Sequence, residues 1–457
     1  MPKKKTALTI EERLQQALVP AEEQPYEVPE NWVWVRLGSL AQDMADGPFG
    51  SNLKTEHYTN NKEVRIIQLS NIGENGWRED NKKYTTFEHA KVIARSKVEA
   101  GDIVIAKMMP AGRAIICPSY EQQYVLSSDA VKFVPNSLVD NNFCCKGINS
   151  YFFQTLVQEN TQGITRARTS IKKLKGYPFP LPPLSEQQRI VERIEELFAK
   201  LDEAKERLQE VAESFAVRKA ALLHKAFTGE LTKQWRLENG VSDESWEEKK
   251  GEDFFEYVTS GSRGWAKYYS DKGSIFVRMG NLNHGTIELD LSDIQYVELP
   301  DQVEGQRSKL QKNDILISIT ADVGMIGLVR EDMDAYINQH VALARPKNDL
   351  YAEFLAWYFV SDVGLQQMQN KQRGATKIGL GLQDIRSIIL KIPTLSEQHE
   401  IVRLIDDLLA RERKAQQATE QALASIDLMK KSILARAFRG ELGTNKASEA
   451  SALELLR

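Results

Sequence analysis

The chain has 457 residues, of which 42% are hydrophobic and 27% are charged, and its formal net charge is −4. This length exceeds the size at which one hydrophobic core stops growing, so two or more domains are expected. No run of about 18 apolar residues could cross a bilayer, and the polar N-terminus does not read as a signal peptide. We therefore expect a cytoplasmic protein with no membrane partner.

The three cysteines argue against a disulfide framework and a metal site. Cys117, Cys144 and Cys145 are too few for a disulfide scaffold, and they lack the paired spacing of zinc ligands. The six histidines are scattered, and no two of them share one helical face. The sequence therefore predicts buried thiols and no metal site.

An N-terminal arm (1–29) and a β-rich domain (30–184) come first in the chain. The stretch from Ile10 to Val19 has the pattern of a helix that could pack on the second long helical segment described below. The strands predicted in the domain are short, rich in β-branched residues and bounded by Gly, Asn and Pro. They span residues 64–69, 102–106 and 130–134.

A central helical region (185–240) follows a proline-rich stretch. Pro182 and Pro183 cannot continue a helix, and Ser185 has the pattern of an N-cap, with Gln188 three residues later. With no breaker before Gly229, the helix could extend from about residue 186 to 226. Apolar or small residues recur in it at the steps of four and three that define a heptad seam. The seam comprises Ile190, Ile194, Leu197, Leu201, Ala204, Leu208, Val211 and Phe215.

The second half of the chain repeats the first. Residues 182–187 (PPLSEQ) return at 393–398 (PTLSEQ), and residues 225–231 (KAFTGEL) return at 436–442 (RAFRGEL), both at an offset of 211. A second β-rich domain (241–394) has predicted strands at 275–279, 314–319 and 341–344. A C-terminal helical region (395–443) and a tail (444–457) complete the chain.

These elements predict an α+β fold with a pseudo-two-fold tandem repeat, in which a long antiparallel pair of α-helices separates two β-rich domains. The second helix has a weaker seam, which begins at Ile401, Ile405 and Leu408. A coiled coil between two chains is the alternative. Two matching seams within one chain favour the intramolecular pair, because they meet at high effective concentration.

The whole arrangement resembles the specificity subunit of type I restriction-modification systems. The resemblance depends on residues 180–191 (PLPPLSEQQRIV), on the F-x-G-E-L motif that ends each long helix, and on the duplication of both. It implies that the β-rich domains are target-recognition domains, each of which reads one half of a bipartite, asymmetric double-stranded DNA target. It also implies that two methyltransferase subunits dock on the helices and that motor-nuclease restriction subunits join the full complex.

The resemblance further implies a non-catalytic subunit that binds no cofactor, with S-adenosylmethionine expected in the methyltransferase partners. The sequence agrees, because it contains no amino-methyltransferase motif, no phosphate-binding G-x-x-x-x-G-K-S/T and no nucleophile elbow. The alternative function is a non-DNA coiled-coil scaffold whose two β domains bind peptides.

Charge permits DNA binding without demanding it. Residues 30–184 hold 19 Lys and Arg against 15 Asp and Glu, a local charge of +4, whereas residues 241–394 hold 17 against 23, a local charge of −6. Phosphate contacts need Lys and Arg. A basic, acid-free segment near residues 163–175 and its counterpart in the second copy are therefore candidate phosphate contacts, with a solvated charged loop as the alternative. The candidates are Thr165, Arg166, Arg168, Lys172, Arg373, Thr376 and Lys377.

Base-reading candidates lie where a strand meets a glycine-containing loop, because Asn and Gln can pair with adenine, and Arg with guanine, in the major groove. They are Gln68, Ser70, Asn71, Arg278 and Asn281. Asn71 and Asn281 could equally stabilise turns.

Two further loops, at 46–54 and 260–269, resemble the recognition loops of the family. The second loop supplies the candidates Arg263 and Lys267, whereas Phe49 and Trp265 could equally be core residues. The resemblance also places partner docking on the long helices. The docking candidates are Ile190, Ile194, Leu197, Leu201, Leu208, Ile401, Ile405 and Leu408.

Overall fold

The computed structural model describes residues 10–74, 76–108, 110–161, 168–300, 305–373 and 379–457. The chain divides into two compact units: unit 1 comprises Met1–Arg207 and Ala422–Arg457, and unit 2 comprises Leu208–Gln421. Each unit therefore contains one of the predicted β-rich domains and a part of each long helix.

Unit 1 contains thirteen strands in its described residues. They are β1 Val33–Arg36, β2 Ala41–Asp46, β3 Tyr58–Thr59, β4 Val64–Ile67, β5 Ile72–Gly73, β6 Gly76–Trp77, β7 Lys83–Thr85, β8 Lys97–Val98, β9 Ile103–Ala106, β10 Ala114–Ile116, β11 Tyr124–Leu126, β12 Ala130–Pro135 and β13 Pro178–Leu181. The helices that begin in this unit are α1 Ile10–Ala17, α2 Phe87–Val92, α3 Asn141–Ile148, α4 Tyr151–Glu159, α5 Ile171–Gly176 and α6 Leu184–Phe227.

Two sheets form the β-rich part of unit 1. An antiparallel sheet has the order β10-β9-β12-β2, and a mixed sheet has the order β3-β7-β4-β11-β8 with β4 and β11 parallel. A separate pair, β1 and β13, joins the two ends of the domain. The main core lies between the antiparallel sheet, α3, α4 and the start of α6, because the alternating apolar residues of the strands face the apolar stripes of the helices.

Unit 2 repeats this plan. Its strands are β14 Glu247–Lys250, β15 Phe255–Ser260, β16 Tyr269–Ser270, β17 Ser274–Val277, β18 Tyr296–Val297, β19 Ile315–Ser318, β20 Ile326–Leu328, β21 Ala335–Ile337, β22 Val341–Pro346 and β23 Ile389–Ile392. Its helices are α7 Lys233–Asn239, α8 Gly251–Phe254, α9 Ala352–Val360, α10 Asp362–Asn370 and α11 Leu382–Arg386, and α12 Leu395–Ala437 begins in it.

The two main sheets of unit 2 match those of unit 1, except that the described residues of unit 2 have only an isolated bridge of Lys309 with Tyr336 near the place of β8. The antiparallel sheet β15-β22-β19-β20 corresponds to β2-β12-β9-β10, and the mixed sheet β16-β18-β17-β21 has β17 and β21 parallel, as β4 and β11 are in unit 1. All six strands predicted from the sequence are present. The tandem repeat is therefore confirmed as a repeat of structure.

The long helices confirm the predicted pattern but not the predicted N-cap. α6 begins at Leu184 and α12 at Leu395, and these starts are 211 residues apart. Ser185 lies in the first turn of α6 rather than capping it, because the carbonyl of Pro183 already accepts hydrogen bonds from the amides of residues 186 and 187. At the other ends, Gly229 and Gly440 adopt φ values of +81° and +74°, which favours glycine and stops the helices.

Segments of α6 and α12 lie antiparallel within each unit. In unit 1 Asp202 pairs with Lys430 at 2.5 Å and Lys205 pairs with Asp427 at 3.6 Å. Residue numbers therefore increase along α6 in the direction in which they decrease along α12. In unit 2 Arg218 pairs with Glu412 at 3.0 Å, and Thr232, which follows the end of α6, donates to Glu397 near the start of α12 at 2.7 Å. The antiparallel arrangement predicted from the matching seams is thus confirmed inside each unit.

The repeated Ser-Glu-Gln motif fastens each long helix to its own unit. Gln187 accepts a hydrogen bond from the amide of Asp140 and donates to the carbonyl of Pro182. Gln398 does the same with Tyr351 and Pro393. The motif therefore has a structural role, since its glutamines hold the helix start against the preceding β-rich domain.

The glutamates of the motif are completely buried and have different partners in the two units. Glu186 accepts hydrogen bonds from Trp32 Nε1 at 2.8 Å and Asn445 Nδ2 at 2.9 Å. Glu397 accepts from Thr232 Oγ1 at 2.7 Å and from Arg236 Nη1 at 2.6 Å. The glutamate of the motif thus accepts from neutral donors in unit 1 and forms a buried ion pair in unit 2.

The N-terminal arm contacts β1. α1 lies next to β1, and Leu18, which follows α1, forms a β-type contact with Val35. The arm reaches the C-terminal part of the unit through Tyr26, whose hydroxyl donates to the carbonyl of Phe438 at 3.0 Å. The helix predicted for Ile10–Val19 is thus confirmed over Ile10–Ala17, and its packing on the second long helix stays a prediction.

Candidate nucleic-acid interface

A short connection joins the two sheets of unit 1 where β11 runs into β12. We define the joint of unit 1 as residues 46–47, 107–108, 127–129 and 168–169. Backbone hydrogen bonds hold it together: the amide of Lys107 donates to the carbonyl of Asp129 at 2.8 Å, and the amide of Thr169 donates to the carbonyl of Lys107 at 3.0 Å. Gly47 is required there, because a Cβ atom would lie 1.7 Å from the carbonyl oxygen of Ser127.

The side chains on this joint form two ion pairs. Lys107 Nζ lies 2.8 Å from Asp46 Oδ1, and Arg168 Nη2 lies 3.0 Å from Asp129 Oδ1. The Arg168 side chain is 52% exposed, so its guanidinium is both held and open to solvent. An exposed arginine that a carboxylate orients can donate to a ligand from its remaining N–H groups.

Unit 2 builds the same joint from residues 260–261, 319–320, 337–340 and 379–380. The amide of Ile319 donates to the carbonyl of His340 at 3.0 Å, and the amide of Leu380 donates to the carbonyl of Ile319 at 2.9 Å. Gly261 takes the place of Gly47, since a Cβ atom there would lie 1.9 Å from the carbonyl oxygen of Ile337. The backbone of the joint is therefore common to the two units.

The side chains of the second joint differ from those of the first. The Thr320 hydroxyl lies 2.6 Å from His340 Nδ1, and Gln339 Nε2 lies 2.9 Å from His340 Nε2. His340 stands where unit 1 has Asp129, and Gly379 stands where unit 1 has Arg168. Ionic groups in unit 1 are thus replaced by neutral hydrogen-bonding groups in unit 2.

Several sequence candidates lie beside these joints. In unit 1 the carbonyl of Ile67, which precedes Gln68, accepts from the amide of Ser127 at 2.9 Å. In unit 2 the carbonyl of Val277, which precedes Arg278, accepts from the amide of Asn338 at 3.1 Å. Asn338 also pairs with Ser262, next to Arg263, and Arg373 pairs with Gly379. The structure therefore gathers candidates from distant parts of each sequence copy at one place.

Asn71 and Asn281 brace turns. Both are buried, and the Oδ1 atom of Asn71 accepts from the amide of Gln68 while its Nδ2 donates to the carbonyls of Arg78 and Asp80. Asn281 makes the matching bonds to the backbone of Arg278, Asp290 and Asp293. Their assignment as base contacts is corrected, because every side-chain polar atom is already bonded to backbone.

The other base-reading candidates are accessible. Gln68 is partly exposed and its Oε1 atom accepts from Asn81 Nδ2 at 2.7 Å, and Ser70 is exposed. Arg278 Nη2 lies 3.1 Å from Asp293 Oδ2. These three side chains remain proposals for DNA contact.

The candidate phosphate contacts are only partly described. Lys172 is exposed on α5, and Arg373 is exposed and lies 3.0 Å from Asp384. Arg263 and Lys267 are exposed in the loop before β16, and Lys267 lies over the ring of Tyr268. Four candidates, Thr165, Arg166, Thr376 and Lys377, lie outside the described residues.

Two aromatic residues in the predicted loops have opposite environments. Phe49 is 83% exposed, whereas Trp265 is 5% exposed and stacks with Phe276. Trp265 is therefore a core residue of unit 2.

The docking candidates divide into two groups. Ile190, Ile194, Ile401 and Ile405 are completely buried in the cores of their own units, so they cannot touch another subunit and their assignment is corrected. The start of each heptad seam packs on the β-rich domain of its own unit. Leu197, Leu201, Leu208 and Leu408 are partly exposed and remain candidates.

Other apolar residues of the long helices are more exposed and were missed. Leu428 and Met429 are 66% and 50% exposed in unit 1, and Val217 is 70% exposed in unit 2. They lie off the predicted seam. Single exposed apolar residues are ordinary on a protein surface, whereas a contiguous apolar patch is typical of a surface that a partner covers. Leu428 and Met429 are adjacent in the chain and are therefore the stronger candidates.

A cleft lies between the helix segments and the β-rich part of each unit. In unit 1 it has a volume of about 620 Å³ and is lined in part by Phe198, Lys205 and Lys430. In unit 2 it has about 670 Å³, with Lys219 and Asp406 in its wall, and burial lowers the pKa of Lys219 and raises the pKa of Asp406. Four helix positions of the two clefts match at the offset of 211 residues: Phe198 with Leu409, Lys205 with Gln416, Ala216 with Asp427, and Lys219 with Lys430.

The cysteine prediction is confirmed: all three thiols are free and buried. Burial raises the pKa of Cys117 and of Cys145 to about 12, so both stay protonated at neutral pH. Within the described ranges, no group of three His, Cys, Asp or Glu side chains is placed to hold a metal ion. No helix of the described part has both the length and the apolar character to cross a membrane.

Comparison with known proteins identifies a family. The family model of the type I restriction modification DNA specificity domain matches residues 29–213 and 243–422. The specificity subunit of the type I restriction enzyme EcoBI of Escherichia coli is 30% identical over 304 residues, which is 64% of this chain and 64% of that protein. The EcoKI specificity subunit of Escherichia coli strain K12 is 26% identical over 440 residues, 91% of this chain and 90% of that protein.

Two solved structures have the same fold. The HsdS subunit from Thermoanaerobacter tengcongensis aligns with a TM-score of 0.63 at 19% identity, over 92% of this chain and 99% of that one. A chain from a structure of the assembly and conformational transition of the type I R-M system aligns with a TM-score of 0.65 at 19% identity, over 91% and 100%.

Proposed function

This chain belongs to the family of type I restriction-modification DNA specificity proteins, and on that premise we propose that it recognises a bipartite, asymmetric double-stranded DNA target, with one half read by each unit. The observation that carries the proposal is the pair of joints. They share a backbone and differ in side chains, Asp129 with Arg168 in unit 1 against His340 with Gln339 in unit 2. A common frame with different hydrogen-bonding groups is what two different half-targets require.

Local cations support DNA as the ligand despite the net charge of −4. Lys172 in unit 1 and Arg263 in unit 2 are exposed near the joints. Contacts of this kind to phosphates would position the protein on the duplex, while the joint side chains face the bases. Family membership decides against the peptide-binding scaffold that the sequence alone left open.

We further propose that two methyltransferase subunits dock on the long helices and that motor-nuclease subunits join through them. The exposed apolar residues Leu428, Met429 and Val217 support this, together with the clefts beside the helices in both units. In this proposal the chain is non-catalytic and cytoplasmic, and S-adenosylmethionine is bound by the methyltransferases and not by this chain.

The test is sequence-selective binding by the assembled complex. The full chain, combined with its methyltransferase subunits, is incubated with duplexes of randomised sequence, and the retained DNA is sequenced. We expect a motif of two short defined blocks separated by an undefined spacer. The methyltransferase without this chain is the control, and a complex that retains all sequences equally in modest salt would refute the proposal.

A further inference from the structure

We propose that the joint is the base-reading element of each unit, in which Arg168, held by Asp129, reads guanine in unit 1 and Gln339, held by His340, reads adenine in unit 2. The inference rests on the proposed DNA recognition and deepens it, because it names the reading side chains and the base each of them takes.

A carboxylate and a fixed backbone orient the guanidinium of Arg168. Its Nη2 atom donates to Asp129 Oδ1 at 3.0 Å, and the backbone beside it is fixed by the bond from the Thr169 amide to the Lys107 carbonyl. Among the described residues this is its one polar side-chain contact, so the other N–H groups of the exposed guanidinium can donate to a ligand. Two parallel N–H donors match the O6 and N7 acceptors of guanine in the major groove.

The charge of the joint argues for a base and against a phosphate. The two cations of the unit 1 joint, Lys107 and Arg168, are neutralised by Asp46 and Asp129. A phosphate would meet two carboxylates there, whereas the neutral edge of guanine would not be repelled. Lys172, which is exposed on α5, is the better phosphate contact.

The second joint has its own reading side chain, Gln339, and its own supporting side chain, His340, and both are neutral. Gln339 Nε2 donates to His340 Nε2 at 2.9 Å, so the His340 ring accepts at that nitrogen and donates from Nδ1 to the Thr320 hydroxyl at 2.6 Å. The neutral imidazole satisfies both bonds. Gln339 then keeps its carbonyl oxygen and one N–H, which complement the N6 amino group and the N7 acceptor of adenine.

The match between the two units supports the assignment of the base-reading residues separately from the hydrogen-bond geometry of either joint. The residue pairs 107 and 129, and 319 and 340, make the same backbone hydrogen bond, so Asp129 and His340 occupy one structural position. Arg168 has no counterpart in unit 2, where Gly379 occupies its place. Positions that keep their backbone and exchange their hydrogen-bonding side chains are those expected to set specificity.

The experiment compares variants of the full chain, assembled with methyltransferase subunits, on duplexes randomised in both blocks of the target. Arg168→Ala should abolish a preference for guanine at one position of one block, a loss of about 5- to 150-fold in discrimination, and leave the other block unchanged. Arg168→Lys should do the same while keeping the charge, because lysine lacks the two-donor fork. Gln339→Ala should abolish a preference for adenine at one position of the other block.

Asp129→Asn tests the positioning role of the carboxylate. It should weaken the guanine preference at the position affected by Arg168→Ala, because the guanidinium loses its charged support. If base preferences at that position stay unchanged, Asp129 does not position Arg168 and that part of the proposal is overturned.

Two control variants distinguish a loss of base recognition from a general loss of DNA affinity. Lys172→Ala should weaken binding to all sequences equally, as removal of a phosphate contact does. Lys97→Ala, which breaks an exposed pair with Glu99 elsewhere in unit 1, should change no base preference. If Arg168→Ala weakened binding to all sequences equally, or did not weaken it, Arg168 would not be the reader. If the wild-type complex selected no sequence, both the proposed function and this inference would be overturned.

Discussion

The glutamates of the repeated motif should differ in their contribution to stability, although they stand at matching positions. Glu397 and Arg236 are both buried, with side-chain exposures of 0% and 7%. The variant Glu397→Gln keeps the shape and an oxygen that can accept from Thr232 and Arg236, so the main loss is the negative charge opposite a buried guanidinium. We expect it to lower the free energy of unfolding of unit 2 by about 3 kcal/mol, the lower end of the range for breaking a buried pair, because Asp243 remains as a second partner of Arg236.

Glu186→Gln in unit 1 is the matched variant. There the carboxylate accepts only from neutral groups, and a glutamine oxygen can accept from both Trp32 and Asn445 while its amide nitrogen donates to the Thr444 hydroxyl. No buried cation is left unpaired. We therefore expect a cost of about 1 kcal/mol or less, the scale of a modestly altered hydrogen bond.

Hydrogen exchange followed by mass spectrometry measures the two effects separately in the full chain. Opening free energies at α7 report on Glu397→Gln, and those of the tail at 444–457 report on Glu186→Gln. A double variant that also replaces Arg236 by methionine should recover part of the stability lost in Glu397→Gln, since no buried guanidinium is then left opposite an uncharged residue. Equal costs for the two glutamine variants would refute the reasoning.

Further predictions concern docking, turns, charge and thiols. Replacement of both Leu428 and Met429 by aspartate should abolish co-purification with methyltransferase subunits at unchanged melting temperature. The control Leu237→Asp, at a leucine that is 70% exposed on α7, should leave co-purification intact. Assembly retained by the double variant would count against the docking surface. Asn71→Ala should lower the free energy of unfolding of unit 1 by about 2 kcal/mol, because three backbone groups lose their hydrogen bonds to a buried side chain. Urea denaturation with an unchanged midpoint would contradict its turn role. Lys172→Ala should reduce the slope of log K against log salt concentration by about 0.9 in magnitude, and an unchanged slope would mean that it touches no phosphate. The three cysteines should resist thiol reagents at pH 8 until the chain is denatured, because burial raises their pKa and keeps them as thiols; rapid labelling of the native chain would disagree.

The sequence predicted the fold well where its signals were periodic. α6 begins and ends within two residues of its predicted bounds, since heptad spacing and the glycine after the helix are local signals. α12 begins at the first residue of the predicted C-terminal helical region and ends at Ala437. The partner of each seam position was not predictable in the same way. Ile190 and Leu201 occupy equivalent seam positions in the sequence. Ile190 is buried against the β-rich domain of its own unit, whereas Leu201 is partly exposed.

The candidate site was predicted only in part, because its essential contacts join residues distant in the sequence. Arg168 was identified as a cation, but Asp129 lies 39 residues away, and its support of the guanidinium had no sequence signal. The available hint was the alignment of residues 128–129 with 339–340, where the repeat exchanges Ser and Asp for Gln and His. Asn71 was ambiguous for a related reason, since only the structure shows which backbone groups its amide meets.

The composition of unit 1 from two distant pieces of chain sets an order for folding during synthesis. Unit 2 is one continuous stretch, so all of its residues have left the ribosome once Gln421 has emerged. Unit 1 must wait, because its core needs Phe438 and Ala452, which are buried against residues made hundreds of codons earlier. The domain translated first is therefore the last to close, and a nascent chain that stalls before these residues exposes an unfilled core to proteases and chaperones.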